Sequence, residues 1–281
     1  MRRVRIDAHQ HFWRYSPAEF PWIGTNMQVL ARDYLPADLA PALAGSGIDG
    51  CIAVQARPDA RENEFLLELA ATSPLVRGVV GWADLCAPDA ADAVAALAQR
   101  PKLRGLRHLV QDEPDDAFLL RADFQRGVAA LAAHDLVYDV LIHPRHLTHA
   151  IRFCAALPEN TFVLDHLAKP DIARDVRQPW ATAVRELARQ PHVACKVSGL
   201  VTEAKWRGWR ADDFRFFLDT VLDAFGPDRL LFGSDWPVCL LAADDYAAVH
   251  DLIAAWAESN LPAAARADLF GGNAARIYNL T

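Results

Sequence analysis

Eight short apolar runs recur along this chain of 281 residues, each ending in polar side chains and each followed by a segment of helical periodicity. The runs are 4–8, 51–54, 76–82, 103–109, 136–142, 161–164, 193–197 and 230–232. Between and after them, apolar residues recur at helical spacing over 36–44, 62–71, 89–100, 123–134, 147–156, 178–189, 212–225 and 246–258. Strands that are apolar almost throughout have no wet face, so the sheet they build is parallel and covered on both sides. Eight β-α units in this order predict an α/β fold, a (β/α)8 TIM barrel. The rival, an open doubly wound sheet, lacks its signature, since no GxGxxG turn follows any strand.

Barrels of this kind use about 250 residues as one domain, so a single domain over 1–281 is expected. Two short helices, 263–269 and 273–278, would cap it over about 262–281. Gly45 and Gly47 can take positive φ after the first helix, and Asp89, Asp123 and Asp212 can cap helix N-termini. A formal net charge of -7 disfavours a nucleic-acid partner and favours a small molecule. Five Cys, an odd number without a CxxC pair, read as reduced core residues and point to a cytoplasmic location. Asp7 and His9 interrupt the basic N-terminus before any signal-peptide core could form, and no apolar run is long enough to span a membrane.

Chemistry in such a barrel sits at the C-terminal ends of the strands. The first strand runs into Asp7-Ala8-His9-Gln10-His11, and the two-residue period of a strand puts both imidazoles on one face, about 7 Å apart. In a chain with 10 His, such a pair carries weight only with partners at other strand ends. Those ends supply Gln55 and Arg57, Trp82 and Asp84, Arg107 and His108, His143, Asp165, His166 and Lys169, Ser198, and Asp235 with Trp236. The connection from 12 to 34 is long for a βα loop, and long loops in compact domains tend to be functional.

His9-Gln10-His11, Asp165-His166-Leu167-Ala168-Lys169-Pro170 and Gly233-Ser234-Asp235-Trp236-Pro237 together resemble the amidohydrolase superfamily. The ending Gly272-Asn273-Ala274-Ala275-Arg276-Ile277-Tyr278 resembles its amidohydrolase-related branch. Within that branch, the opening Asp7-Ala8-His9-Gln10-His11-Phe12-Trp13 and the Phe20-Pro21-Trp22 loop are similar to sugar lactonases of the L-fuconolactonase type. The resemblance implies a hydrolase that opens a carboxylic ester, turning L-fuconolactone or a related aldonolactone, such as L-galactono- or D-arabinono-lactone, into the open aldonic acid. A place in sugar oxidation, such as L-fucose catabolism, follows from the same likeness.

On that reading Asp235 is the base that activates water, while His9, His11 and His166 converge on the carbonyl oxygen. They would act either as N–H donors or through one divalent ion, zinc, held by His9, His11 and Asp235; both routes stay open. Two-metal members of the superfamily place a bridging Lys after the fourth strand, where this chain has Arg107-His108, which argues against a binuclear site. Arg107, His108, His143 and Lys169 would contact substrate hydroxyls or a carboxylate, and Trp22 and Trp206 would offer flat faces to a sugar ring. The bland alternatives pair Arg107 with Asp112 and Lys169 with Asp171. His146 and His149 follow Pro144 into a helix and read as solvated. The rival activities are a metal-dependent decarboxylase of the same branch and hydrolysis of another lactone, such as L-rhamnonolactone.

Overall fold

The computed structural model describes residues 3–280. Its strands are β1 (Ile6–Gln10), β2 (Gly50–Val54), β3 (Val76–Gly81), β4 (Leu103–His108), β5 (Val137–Val140), β6 (Thr161–Leu164), β7 (Val193–Val197) and β8 (Leu230–Phe232). Each pairs in parallel with the next, and a parallel bridge between Gln10 and Trp236 brings the two ends together. The crossovers are α1 (Pro36–Gly45), α2 (Ala60–Thr72), α3 (Ala90–Ala98), α4 (Ala122–Ala129), α5 (Leu147–Ala156), α6 (Trp180–Ala188), α7 (Ala211–Phe225) and α8 (Tyr246–Asn260). The result is a nearly closed (β/α)8 barrel.

Alternation along the strands sorts the core into two parts. Outward-facing Tyr138, Phe162, Cys195 and Phe232 pack against Phe124, Phe153, Val184 and Phe217 of the surrounding helices. Inward-facing Ile6, Ile52, Val137, Val163 and Leu231 fill the barrel, and Ala274 and Tyr278 close this inner cluster. Those two residues come from the C-terminal segment, which runs through α9 (Ala263–Ala267), a wider turn over Asp268–Gly272 and α10 (Asn273–Ile277). Gly271 lets that turn press on the start of β1, where a Cβ would stand 2.8 Å from the Ile6 nitrogen.

Several boundaries depart from the sequence reading. β1 begins at Ile6, not at residue 4, and Val4 is exposed. The helix expected over 123–134 divides into α4 and a short 3-10 turn, Ala132–His134. Gly47 takes φ 66°, whereas Gly45 is the last residue of α1. The side-chain N-caps are Asp59 and Asp245, which accept from Arg61 N and Ala248 N; Asp89 makes no such bond, and Asp123 and Asp212 lie within their helices. All five Cys are free thiols, four of them buried. Among the described residues, no helix is long and apolar enough to cross a membrane.

Candidate active site

The first-strand pair reaches the barrel interior through a break in register. Asp7 pairs with Cys51 and Gln10 with Ala53, so three steps along β1 oppose two along β2, and the extra residue falls at Ala8 and His9. Ile6 and Ala8 pack in the inner cluster, and strict alternation from them would send His9 and His11 outward. The bulge reverses that parity. It is held by the buried Asp7 carboxylate, whose Oδ1 accepts from the backbone of His9 at 3.1 Å and of Ser234 at 2.9 Å. Burial raises the Asp7 carboxyl to about 6, against the pull of its bonds from Ser234. Gly233 is required beside it, because a Cβ there would lie 2.6 Å from His9 Cβ.

Three imidazoles meet one carboxylate at this end of the barrel. His11 Nε2 lies 3.4 Å, His9 Nε2 3.9 Å and His166 Nε2 4.0 Å from Asp235 Oδ1. Each ring is oriented from behind. His11 Nδ1 donates to the Val54 carbonyl at 2.8 Å, His166 Nδ1 pairs with Ser198 Oγ at 2.9 Å, and His9 Nδ1 stands 3.3 Å from Asp165 Oδ1. A carbonyl can only accept, so His11 carries a proton on Nδ1 and turns its other nitrogen, Nε2, toward the carboxylate.

Backbone strain is concentrated at the same place. His166, Leu167, Ala168 and Lys169 all take left-handed φ of 53°, 54°, 59° and 52°, and Asp235 takes 58°. Each costs an L-residue about 1–2 kcal/mol, offset by the burial of Leu167 and Ala168. The turn swings His166 and Lys169 over the mouth of the barrel.

Electrostatics separate the groups. Burial opposes ionisation of Asp235, but the imidazoles of His166, His11 and His9 more than compensate and hold its carboxyl well below the usual range. Burial pushes His9 well down and His166 down to about 4, so both rings are neutral near pH 7.

Above these groups is a cavity of about 300 Å³, at the small end for a small-molecule site. His11, Arg107, His166 and Asp235 lie on its floor side, with Trp22, Lys169, Glu203 and Trp206 among its other walls. Trp22 comes from the long loop after β1, where it packs edge-on against Trp13.

Of the residues expected to contact substrate, Trp22, Arg107, Lys169 and Trp206 thus surround one space. Arg107 pairs with Asp165 at 3.0 Å rather than with Asp112. His108 lies elsewhere, because neighbours on a strand face opposite ways: Arg107 enters the barrel and His108 stacks on Phe118 and bonds Glu113 at 2.7 Å. His143 does not line that space either; it lines an adjoining pocket with Arg145 and Arg174, which shares Lys169 and Glu203 with the first. His146, expected to be solvated, is buried, and its Nδ1 accepts from the His143 backbone.

The sequence reading missed Asp139 and Lys196, which project inward from β5 and β7 and are fully buried. Their signal was visible as single charged residues inside apolar strands with no wet face.

His9, His11 and Asp235 present two imidazole nitrogens and a carboxylate oxygen within 4.8 Å of one another. Two imidazole nitrogens and a carboxylate oxygen turned toward one another are a donor set that suits a small divalent cation. The Val54 carbonyl behind His11 and the Asp165 carboxylate beside His9 are the kind of groups that orient metal-ligating His.

Against this geometry, comparison with known proteins is decisive for lineage. Residues 6–280 match the amidohydrolase family. The chain belongs to that family. It is 54% identical to an L-fucono-1,5-lactonase of Burkholderia multivorans, across 100% of this chain and 97% of that protein. A second L-fucono-1,5-lactonase, from Burkholderia ambifaria, is 41% identical over 98% of this chain and 96% of its own length. A solved amidohydrolase from Burkholderia multivorans with bound zinc superposes with a TM-score of 0.94 at 54% identity, covering 99% of this chain and all of that one.

Proposed function

We propose that this amidohydrolase opens a sugar-acid lactone, L-fucono-1,5-lactone or a closely related aldonolactone, by attack of a water whose proton passes to Asp235. The observation that carries the reading is the convergence of three Nε2 atoms on Asp235 Oδ1 beneath a small cavity walled by Trp22 and Trp206. Its likeness to two L-fucono-1,5-lactonases along nearly its whole length supports the substrate class.

Asp235 is ionised at neutral pH and so is ready to accept a proton. As the water oxygen bonds to the lactone carbonyl carbon, its proton moves to Asp235. When the tetrahedral carbon collapses, the bond to the ring oxygen breaks and Asp235 returns the proton to that leaving oxygen. The product is a hydroxy acid, which ionises and acidifies the solution. Trp22 and Trp206 offer faces to the sugar ring, while Lys169, Glu203 and Asp112 can hydrogen-bond its hydroxyls.

His9, His11 and Asp235 would hold one divalent ion, zinc, which supplies Lewis acidity to the carbonyl and to water when bound. The hydrogen bond between His11 Nδ1 and the Val54 carbonyl fixes that ring with Nε2, the nitrogen that would ligate the ion, toward Asp235.

The test is a pH-indicator assay with L-fucono-, L-galactono-, D-arabinono- and L-rhamnono-lactone. Acid release confined to the L-fucono stereochemical series is expected. Folded, zinc-supplemented protein that releases acid from none of them would refute the lactonase reading, and carbon dioxide release from unsaturated carboxylic acids would replace it with a decarboxylase.

A further inference from the structure

Beneath the three imidazoles, charged side chains replace the aliphatic filling of the barrel and form one line of contacts. Tyr278, carried in at the end of α10, donates its hydroxyl to Asp139 Oδ1 at 2.6 Å. The other Asp139 oxygen accepts from Lys196 Nζ. Lys196 Nζ is 3.1 Å from Asp165 Oδ1 and 3.3 Å from His9 Nδ1. Asp165 completes the line, with Oδ1 3.3 Å from His9 Nδ1 and Oδ2 accepting from Arg107 at 3.0 Å.

Asp139, Asp165 and Lys196 are fully buried, and none of the three borders the substrate cavity. Two cations and two carboxylates balance, yet apolar side chains of equal volume would often be as stable, so stability alone is a weak reason for the arrangement. Its upper end supplies a better one. His9 Nδ1 faces Asp165 Oδ1, and His9 Nε2 faces Arg107 at 3.3 Å. Arg107 can only donate and an ionised Asp165 can only accept; Lys196, also 3.3 Å from His9 Nδ1, can only donate, but it has the carboxylates of Asp139 and Asp165 to donate to. Arg107 and Asp165 are both served when the His9 proton sits on Nδ1 and Nε2 is bare. Asp165 Oδ1 is held at that position by Lys196, and Lys196 by Asp139 and Tyr278.

We propose that Lys196 is a positioning residue that acts through Asp165, anchored from below by Asp139 and Tyr278, to keep His9 in the Nδ1–H form with Nε2 open toward Asp235. The effect on turnover rests on the lactone-hydrolysis reading; the tautomer does not.

Lys196→Met alone would leave two buried carboxylates without their cation. The main variant is therefore Lys196→Met with Asp139→Asn, which removes one charge of each sign, and Tyr278→Phe is a milder second. Proteins as purified, labelled with 15N in the imidazoles, give long-range 15N–1H spectra that report each ring's tautomer without any substrate; His9→Gln assigns the signal. Wild type is expected to show His9 as Nδ1–H, and the double variant to lose that signature. Its kcat should fall about 10–100-fold, as for other groups that orient a site imidazole. KM should stay within about twofold, since no substrate contact changes. Tyr278→Phe should show the same pattern, weaker, and carries the test if the double variant does not fold. A folded variant in which His9 keeps its Nδ1–H, or a wild type with the proton on Nε2, overturns the proposal whatever the rate. If wild type opens no lactone, the functional reading fails while the tautomer result still decides this one.

Discussion

Gly199 offers a way to move His166 without touching any group that bonds substrate. Its φ is 64°, and a Cβ added there would stand 2.5 Å from His166 Nδ1 and 2.7 Å from His166 Cγ. Ordinary contact requires the ring to retreat by about 1 Å, a displacement that at a reacting centre costs on the order of 10²-fold in rate. The ring cannot retreat freely, since its backbone is already left-handed at φ 53° and its Nδ1 is tied to Ser198 Oγ. Gly199→Ala should therefore lower kcat about 100-fold, equivalent to about 2.7 kcal/mol. It should also lose about 1–2 kcal/mol of stability, because alanine in the left-handed region costs that much. Gly226→Ala is the control for backbone strain alone: φ 70° and ψ 168° there are at least as unfavourable to alanine as the left-handed region, and nothing among the described residues lies within 4 Å of the added Cβ. Both variants should melt a few degrees lower, and only Gly199→Ala should lose turnover in the acid-release assay. A lowered melting point with near-wild-type kcat in Gly199→Ala would refute the claim that His166 must be held where it is.

Three other perturbations follow from the same geometry. Asp235→Asn keeps the shape and removes the charge, so the circular dichroism spectrum should be unchanged while kcat falls about 10²–10⁴-fold; a folded variant of near-normal rate would remove Asp235 as the base. His143 is pushed down to about 4, first by burial and then by the charges of Lys169 and Arg145. Its unfolded form takes a proton near 6.5, so its effect on stability is absent above that pH and becomes a loss as pH falls from 6.5 through 4. His143→Gln should then narrow the drop in urea midpoint between pH 7.5 and 4.5 and leave kcat/KM alone, and an unchanged drop would contradict the sign. Chelation should abolish acid release and zinc should restore it, with one zinc per chain by elemental analysis; full activity in zinc-free protein would assign the carbonyl to the imidazoles themselves.

The barrel was legible because burial on both faces leaves a continuous apolar run wherever a strand lies, and amphipathic spacing marks each helix between. Asp235 and His166 were legible because they stand just past such runs. Parity was harder to read. Whether His9 and His11 face in or out depends on a one-residue bulge, and that bulge is pinned by a bond between Asp7 and Ser234, 227 residues apart. No local pattern around His9 encodes it. The pair Arg107 and His108 shows the same limit from the other side. Alternation dictates that only one of two neighbours enters the barrel, but which one does so follows from Leu106 before them, which packs in the outer core. Asp139 and Lys196 are different, since the strand pattern already exposes them. In a sheet with no wet face, a charged residue in mid-strand must either meet a buried partner or lose its charge. Two such residues of opposite sign on strands that both face one interior therefore predict an ion pair inside the barrel. That inference needs only the strand assignment, and it leads from the sequence to the side of His9 that faces away from the cavity.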